Sequence, residues 1–187
     1  MDQREQKTDT DLPTAFHEAA HAVVLAQAGL DFECVTIEPG RGTVGSLKCP
    51  RRHEEVDVET YSPTFNDDEY NAGEAARLAR IEAHAISDFA GQAAEKRLTG
   101  EPHPDGAGGD EADAEDLADK AVYILEDLPG HTPEDAASFL ARMRLAADTF
   151  VQDEDNWRSI RVVAEALITC QTLTLEAVRT ILAAPRL

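Results

Sequence analysis

From Thr14 to Leu30 the chain is apolar nearly all round. Ala15, Phe16, Ala19, Ala20, Ala22, Val23, Val24, Leu25 and Ala26 surround only three ionisable side chains, His17, Glu18 and His21. A helix of that composition belongs in a core. Asp11 or Thr14 can cap it, Pro13 suits its opening, and Gly29 suits its end. Residues 1–10 are polar and are expected to be disordered. Phe32 to Ile37 and Thr43 to Lys48 are β-prone around Pro39-Gly40-Arg41-Gly42, which predicts a hairpin. Arg51 to Tyr70 lacks clear periodicity and reads as a loop, with room for a short strand near Val56 to Val58.

Asn71 to Leu98 predicts a long helix, with Leu78, Ile81, Ala85, Phe89 and Ala93 at helical spacing. Gly91 inside it weakens the helix but permits close packing against a neighbour. A loop rich in glycine and proline follows from Thr99 to Gly109, then a helix from Asp110 to about Leu128. Thr132-Pro133-Glu134-Asp135 has the cap, proline and acids of another helix start. Two more helices are expected, from Glu154 to Cys170 and from Thr174 to Ala184. There is no internal repeat and no linker. The expectation is a single α+β domain over residues 1–187, mainly helical, with a small sheet beside the first helix and a helical C-terminal part.

Charge narrows the list of partners. The chain carries 17 basic and 37 acidic side chains. The acids gather in Glu54 to Glu69 and Glu101 to Asp119. Such a surface repels a phosphate backbone, which argues against nucleic acid. Cys34, Cys49 and Cys170 form no close-spaced pair, and their odd number suits a reducing compartment. No stretch has the length of a membrane span, and the N-terminus is polar, so a soluble cytoplasmic protein is expected.

His17-Glu18-Ala19-Ala20-His21 is the motif that carries chemistry. Its spacing puts both imidazoles on one helix face, within reach of one metal ion, with Glu18 beside a water on that ion. The plain alternative is a surface helix with stray histidines, but a solvated face should carry more charge than this one does. An unpaired carboxylate in a core would cost several kcal/mol, roughly, so a metal gives Glu18 a reason to be there.

A catalytic zinc takes three protein ligands and keeps a fourth position for water. A third histidine six residues after the second is excluded, because Gln27 stands there and Val24 stands where glycine would be needed. Glu74, Glu82, Glu95, His84 and His103 are candidates. Asp110 is the best of them, since it follows Gly106-Ala107-Gly108-Gly109 and opens a helix that can aim its carboxylate. Its alternative role is a plain helix N-cap. His84 reads as a helix-surface residue facing Asp88, and His103, between prolines, as an exposed loop residue.

These residues carry a family resemblance. Phe16 to Val24 resembles the zinc helix of the proteolytic domain of the FtsH-type ATP-dependent zinc metallopeptidases, the AAA-protease family. Val35 to Gly42, followed by Gly45, resembles that family's strand-and-turn segment. Gly91-Gln92-Ala93-Ala94-Glu95 resembles the helix before the third-ligand loop, and Gly106 to Asp110 resembles the loop itself. The ordered set spans most of residues 14–120. It implies a zincin-like fold, a zinc ion (Zn2+) held by His17, His21 and Asp110, and Glu18 as general base. There are departures: Ala20 stands where the family has glycine, and Arg51 to Tyr70 is unlike its family counterpart. No GxxxxGK[ST] run occurs, so ATP-driven unfolding is not expected to transfer.

The resulting expectation is a zinc metallopeptidase that hydrolyses peptides or unfolded protein segments. Thr43, Val44, Gly45 and Ser46 would offer a strand edge to an extended substrate. A homo-oligomer and a separate ATPase partner are both compatible with the chain. The competing expectation is a catalytically inactive peptidase-like domain that binds or regulates a partner.

Overall fold

The computed structural model describes residues 3–39, 45–49, 52, 56, 67–101 and 108–184. Among them are six principal helices and a three-stranded antiparallel sheet. Helix α1 is Gln3–Gln27, α2 is Asp67–Thr99, α3 is Gly108–Asp127 and α4 is Ala136–Gln152. The last two are α5, Glu154–Cys170, and α6, Leu175–Ala183. The strands are β1, Cys34–Thr36, β2, Ser46–Lys48, and β3, Thr172–Thr174. The mainly helical α+β class expected from the sequence is the one observed. No described helix is long and apolar enough to cross a membrane.

Helix α1 is the centre of the packing. Its main neighbours are α2 and α5, while α2 also packs on α3 and α4. Alanines make these close approaches possible: Ala15, Ala19 and Ala22 on α1, Ala85, Ala90 and Ala94 on α2, and Ala114, Ala118 and Ala121 on α3 are fully buried. Larger side chains fill the outer part of the core, among them Ile81, Leu117, Phe139, Met143, Ile160 and Leu167. Every apolar residue that predicted the buried stripe of α2, from Leu78 to Ala93, faces this core.

The start of α1 differs from expectation. It runs through Pro13 from Gln3 instead of starting at a cap on Asp11 or Thr14. Proline forfeits one backbone hydrogen bond, but Gln3 to Lys7 are good helix formers, and the helix continues across it. Gly29 ends the helical segment as expected, with a φ of +76° that favours glycine. Helix α4 also starts later than Thr132-Pro133 suggested. Its cap is Asp135, whose side chain accepts a hydrogen bond from the Ser138 N–H.

The hairpin is present: Cys34 pairs with Lys48, Val35 with Leu47 and Thr36 with Ser46. It lies against α1. A strand that the sequence did not disclose, β3, pairs along the other side of β1 with Val35 opposite Leu173. Gln171 makes this possible. It takes a φ of 66° after α5, and its carbonyl accepts hydrogen bonds from the Ile37 N–H and the Thr36 hydroxyl. Strand β2 is therefore at one edge of the sheet. Of the expected strand near Val56 to Val58, only Val56 is described, and it is helical and buried. The three cysteines form no disulfide.

Candidate metal centre

One stripe of α2 receives both imidazoles of α1. Ser87, Gly91 and Glu95 recur every four residues and so share a helix face. The His21 Nδ1–H donates to the Ser87 carbonyl at 2.7 Å. The His17 Nδ1–H donates to Glu95 Oε1 at 3.0 Å. Gly91, between them, lies under the His17 ring so closely that a Cβ there would meet Nε2 at 2.6 Å. This is the neighbour for which the interior glycine makes room.

With both Nδ1 atoms engaged, both Nε2 atoms turn toward Asp110. Asp110 Oδ2 is 3.0 Å from His17 Nε2 and 3.6 Å from His21 Nε2. Ligand atoms at about 2.05 Å around a tetrahedral zinc stand about 3.3 Å apart, so these separations suit such an ion. His17, His21 and Asp110 form a group, largely buried, whose ligand atoms all lie within 4.8 Å of one another and could hold a metal ion. Asp110 lies within the first turn of α3, which begins at Gly108, so it is not the N-cap.

The electrostatics follow from this crowding. Burial opposes protonation of His17, but the Asp110 and Glu95 carboxylates outweigh it and raise its pKa to about 10. His21 is raised in the same way, with burial opposing and Asp110 prevailing. Burial alone would lift Asp110, yet the hydrogen bond from His17 and the nearby His21 imidazole hold it well below the usual carboxylate range. Binding of a cation by this group would therefore be coupled to release of protons.

Glu18 is buried beside the trio. Its pKa is raised, chiefly by burial, with the two histidines pulling the other way. Among the described residues, Glu18 Oε2 has no hydrogen-bond partner. Gly45, just before β2, gives the side chain its space: a Cβ there would stand 2.6 Å from Glu18 Oε1. An orphaned buried carboxylate oxygen beside a three-ligand group is what a site for a metal and its water requires.

The remaining candidates are placed elsewhere. Glu95 orients His17 from its Nδ1 side, away from Asp110. Glu74 pairs with Arg77, and Glu82 pairs with Arg142. His84 is 1 % exposed, not on the surface, because α2 packs against α1, α3 and α4. Asp88 is also buried and pairs with Arg52. Ser46 is half-buried in β2, while Thr43, Val44 and His103 lie outside the described residues. The orienting roles of Glu95 and Ser87 were not anticipated. A carboxylate one turn after Gly91 was a signal for the first, but a main-chain carbonyl leaves none for the second. The chain matches no family model and no curated protein.

Proposed function

We propose that the protein is a zinc-dependent metalloendopeptidase acting on peptides or unfolded protein segments. The observation that carries this reading is the anchoring of both Nδ1 atoms, which leaves His17 Nε2, His21 Nε2 and Asp110 Oδ2 converging beside the buried Glu18, whose Oε2 has no hydrogen-bond partner among the described residues. Histidine ligands held by a carboxylate and a carbonyl are a usual arrangement around catalytic metals. The order of the segments, which resembles the FtsH-type proteolytic domain, supports the same reading.

His17, His21 and Asp110 would hold the ion. When bound, zinc supplies Lewis acidity toward a carbonyl oxygen and toward water. Glu18 takes a proton from the attacking water and delivers it to the leaving amine. Its buried position beside the group, with space left by Gly45, suits that shuttle. Glu95 and the Ser87 carbonyl keep the imidazoles in the tautomer that points Nε2 inward. The edge strand β2 starts beside Glu18 and offers backbone groups to which an extended peptide can add as a further strand.

The test is Glu18→Gln, assayed for zinc content and for chelator-sensitive hydrolysis of casein. The variant should keep its zinc and lose about 100-fold or more in rate. Equal rates would remove Glu18 from the chemistry. Zinc in the wild-type protein with no cleavage of varied unfolded substrates would favour a peptidase-like binding module instead.

A further inference from the structure

Arg52 touches none of the three ligands, yet it joins the two helices that the metal group depends on. Its guanidinium grips the Asp88 carboxylate with two hydrogen bonds, NH1 to Oδ1 at 3.2 Å and NH2 to Oδ2 at 2.5 Å. NH1 also donates to Asp113 Oδ2 at 3.1 Å. Asp88 follows Ser87, whose carbonyl fixes His21. Asp113 is three residues after Asp110 on α3, close to one helical turn. One planar fork thus ties the point on α2 that aims an imidazole to the turn of α3 that carries the third ligand.

Stability alone does not explain this arrangement. Asp88 is 6 % exposed, and burial pushes its pKa up to about 6 even with the guanidinium beside it. A buried ion pair of this kind is commonly no more stable than a well-packed apolar pair. What it does supply is direction. The Arg fork fixes the distance and angle between two carboxylates in a way that apolar contact does not. Small errors in such spacing matter, because outer groups that orient metal ligands are commonly worth 10- to 100-fold in affinity, roughly.

We infer that Arg52 is a positioning residue for the metal centre, setting the separation of α2 and α3 so that Asp110 meets His17 and His21. This rests on the metal-binding part of the proposed function and is independent of whether the site hydrolyses peptides.

The experiment is a Co2+ titration of metal-stripped protein, followed by visible absorption, for the wild type, Arg52→Lys, Asp113→Asn and the double variant. Lysine keeps the charge but lacks the planar two-nitrogen fork that grips Asp88 and fixes the angle to Asp113. Arg52→Lys should weaken Co2+ binding about 10-fold and Asp113→Asn about 3-fold, with the double variant no weaker than Arg52→Lys. The absorption bands should also change, since a displaced Asp110 alters the ligand field. Wild-type affinity and spectrum in both single variants would overturn the inference, whatever their melting temperatures. Asp113 is 62 % exposed, so its variant decides the matter if Arg52→Lys does not fold. A wild-type protein that takes up no Co2+ would overturn the metal reading itself, and this inference with it.

Discussion

Gly91 and His17 are in contact so close that the helix has no room for a β-carbon. The ideal Cβ position at Gly91 is 2.6 Å from His17 Nε2 and 2.7 Å from Cδ2 and Cε1. A glycine inside a helix costs about 1 kcal/mol relative to alanine, so the contact is maintained against local helix preference. Gly91→Ala should therefore displace the imidazole and weaken zinc or Co2+ binding at least 10-fold, roughly, by analogy with other groups that orient metal ligands. Metal titration beside a thermal melt checks this. Wild-type affinity would mean that the ring can shift without harm.

Glu95 acts on the same imidazole from the opposite nitrogen. Glu95→Gln keeps an oxygen that can accept the His17 Nδ1–H but removes the charge. The expected outcome is a loss of about 10-fold in metal affinity with the fold intact. Glu95→Ala should lose more, because it leaves a buried Nδ1–H without this acceptor. Equal affinities for Glu95→Gln and wild type would show that only hydrogen-bond geometry matters here.

Much of this site was legible in the chain because residue chemistry and spacing carried it. The apolar surroundings of His17, Glu18 and His21 announced a buried helix, while the glycine-rich approach to Asp110 made it the best of several third-ligand candidates, a choice the family resemblance then favoured. Helix α5 was bounded correctly from Glu154 to Cys170. What escaped was set by tertiary contact. Thr172 to Thr174 is too short to show alternation, and becomes a strand because β1 has a free side to pair with. Ser87 contributes a main-chain carbonyl to His21, which no side chain signals. Asp88 looked like a surface acid at helical spacing from His84. It is interior because α2 packs against α1, α3 and α4, and Arg52 supplies its counter-charge.

Gln171 offers a test of how the third strand is joined. Its φ of 66° disfavours any residue with a β-carbon. Its contacts to Leu167, Ile37 and Thr36 include two from main-chain atoms to main chain and one from its carbonyl to a hydroxyl. Gln171→Gly keeps all of them and removes the steric cost, so it should stabilise the protein by about 0.5–1 kcal/mol. Denaturant unfolding reads this directly. A midpoint that falls would mean that the glutamine side chain contributes more than its backbone costs.

Asp88 gives the protein a signed dependence on pH. Its carboxyl is raised from 3.8 to about 6 by burial, which Arg52 only partly offsets. The folded state therefore holds this proton more tightly than the unfolded chain. The contribution from this group is greatest below pH 3.8, falls as pH rises, and is gone above about pH 6. Asp88→Asn removes the titration and keeps an acceptor for one of the Arg52 hydrogen bonds. Relative to wild type, the variant should gain about 2 kcal/mol in unfolding free energy between pH 4 and pH 7. Paired denaturant titrations at the two values give that difference, and the other acids cancel because both proteins carry them. A difference that stays flat would mean that Asp88 titrates as an ordinary surface acid, with Arg52 compensating its burial in full.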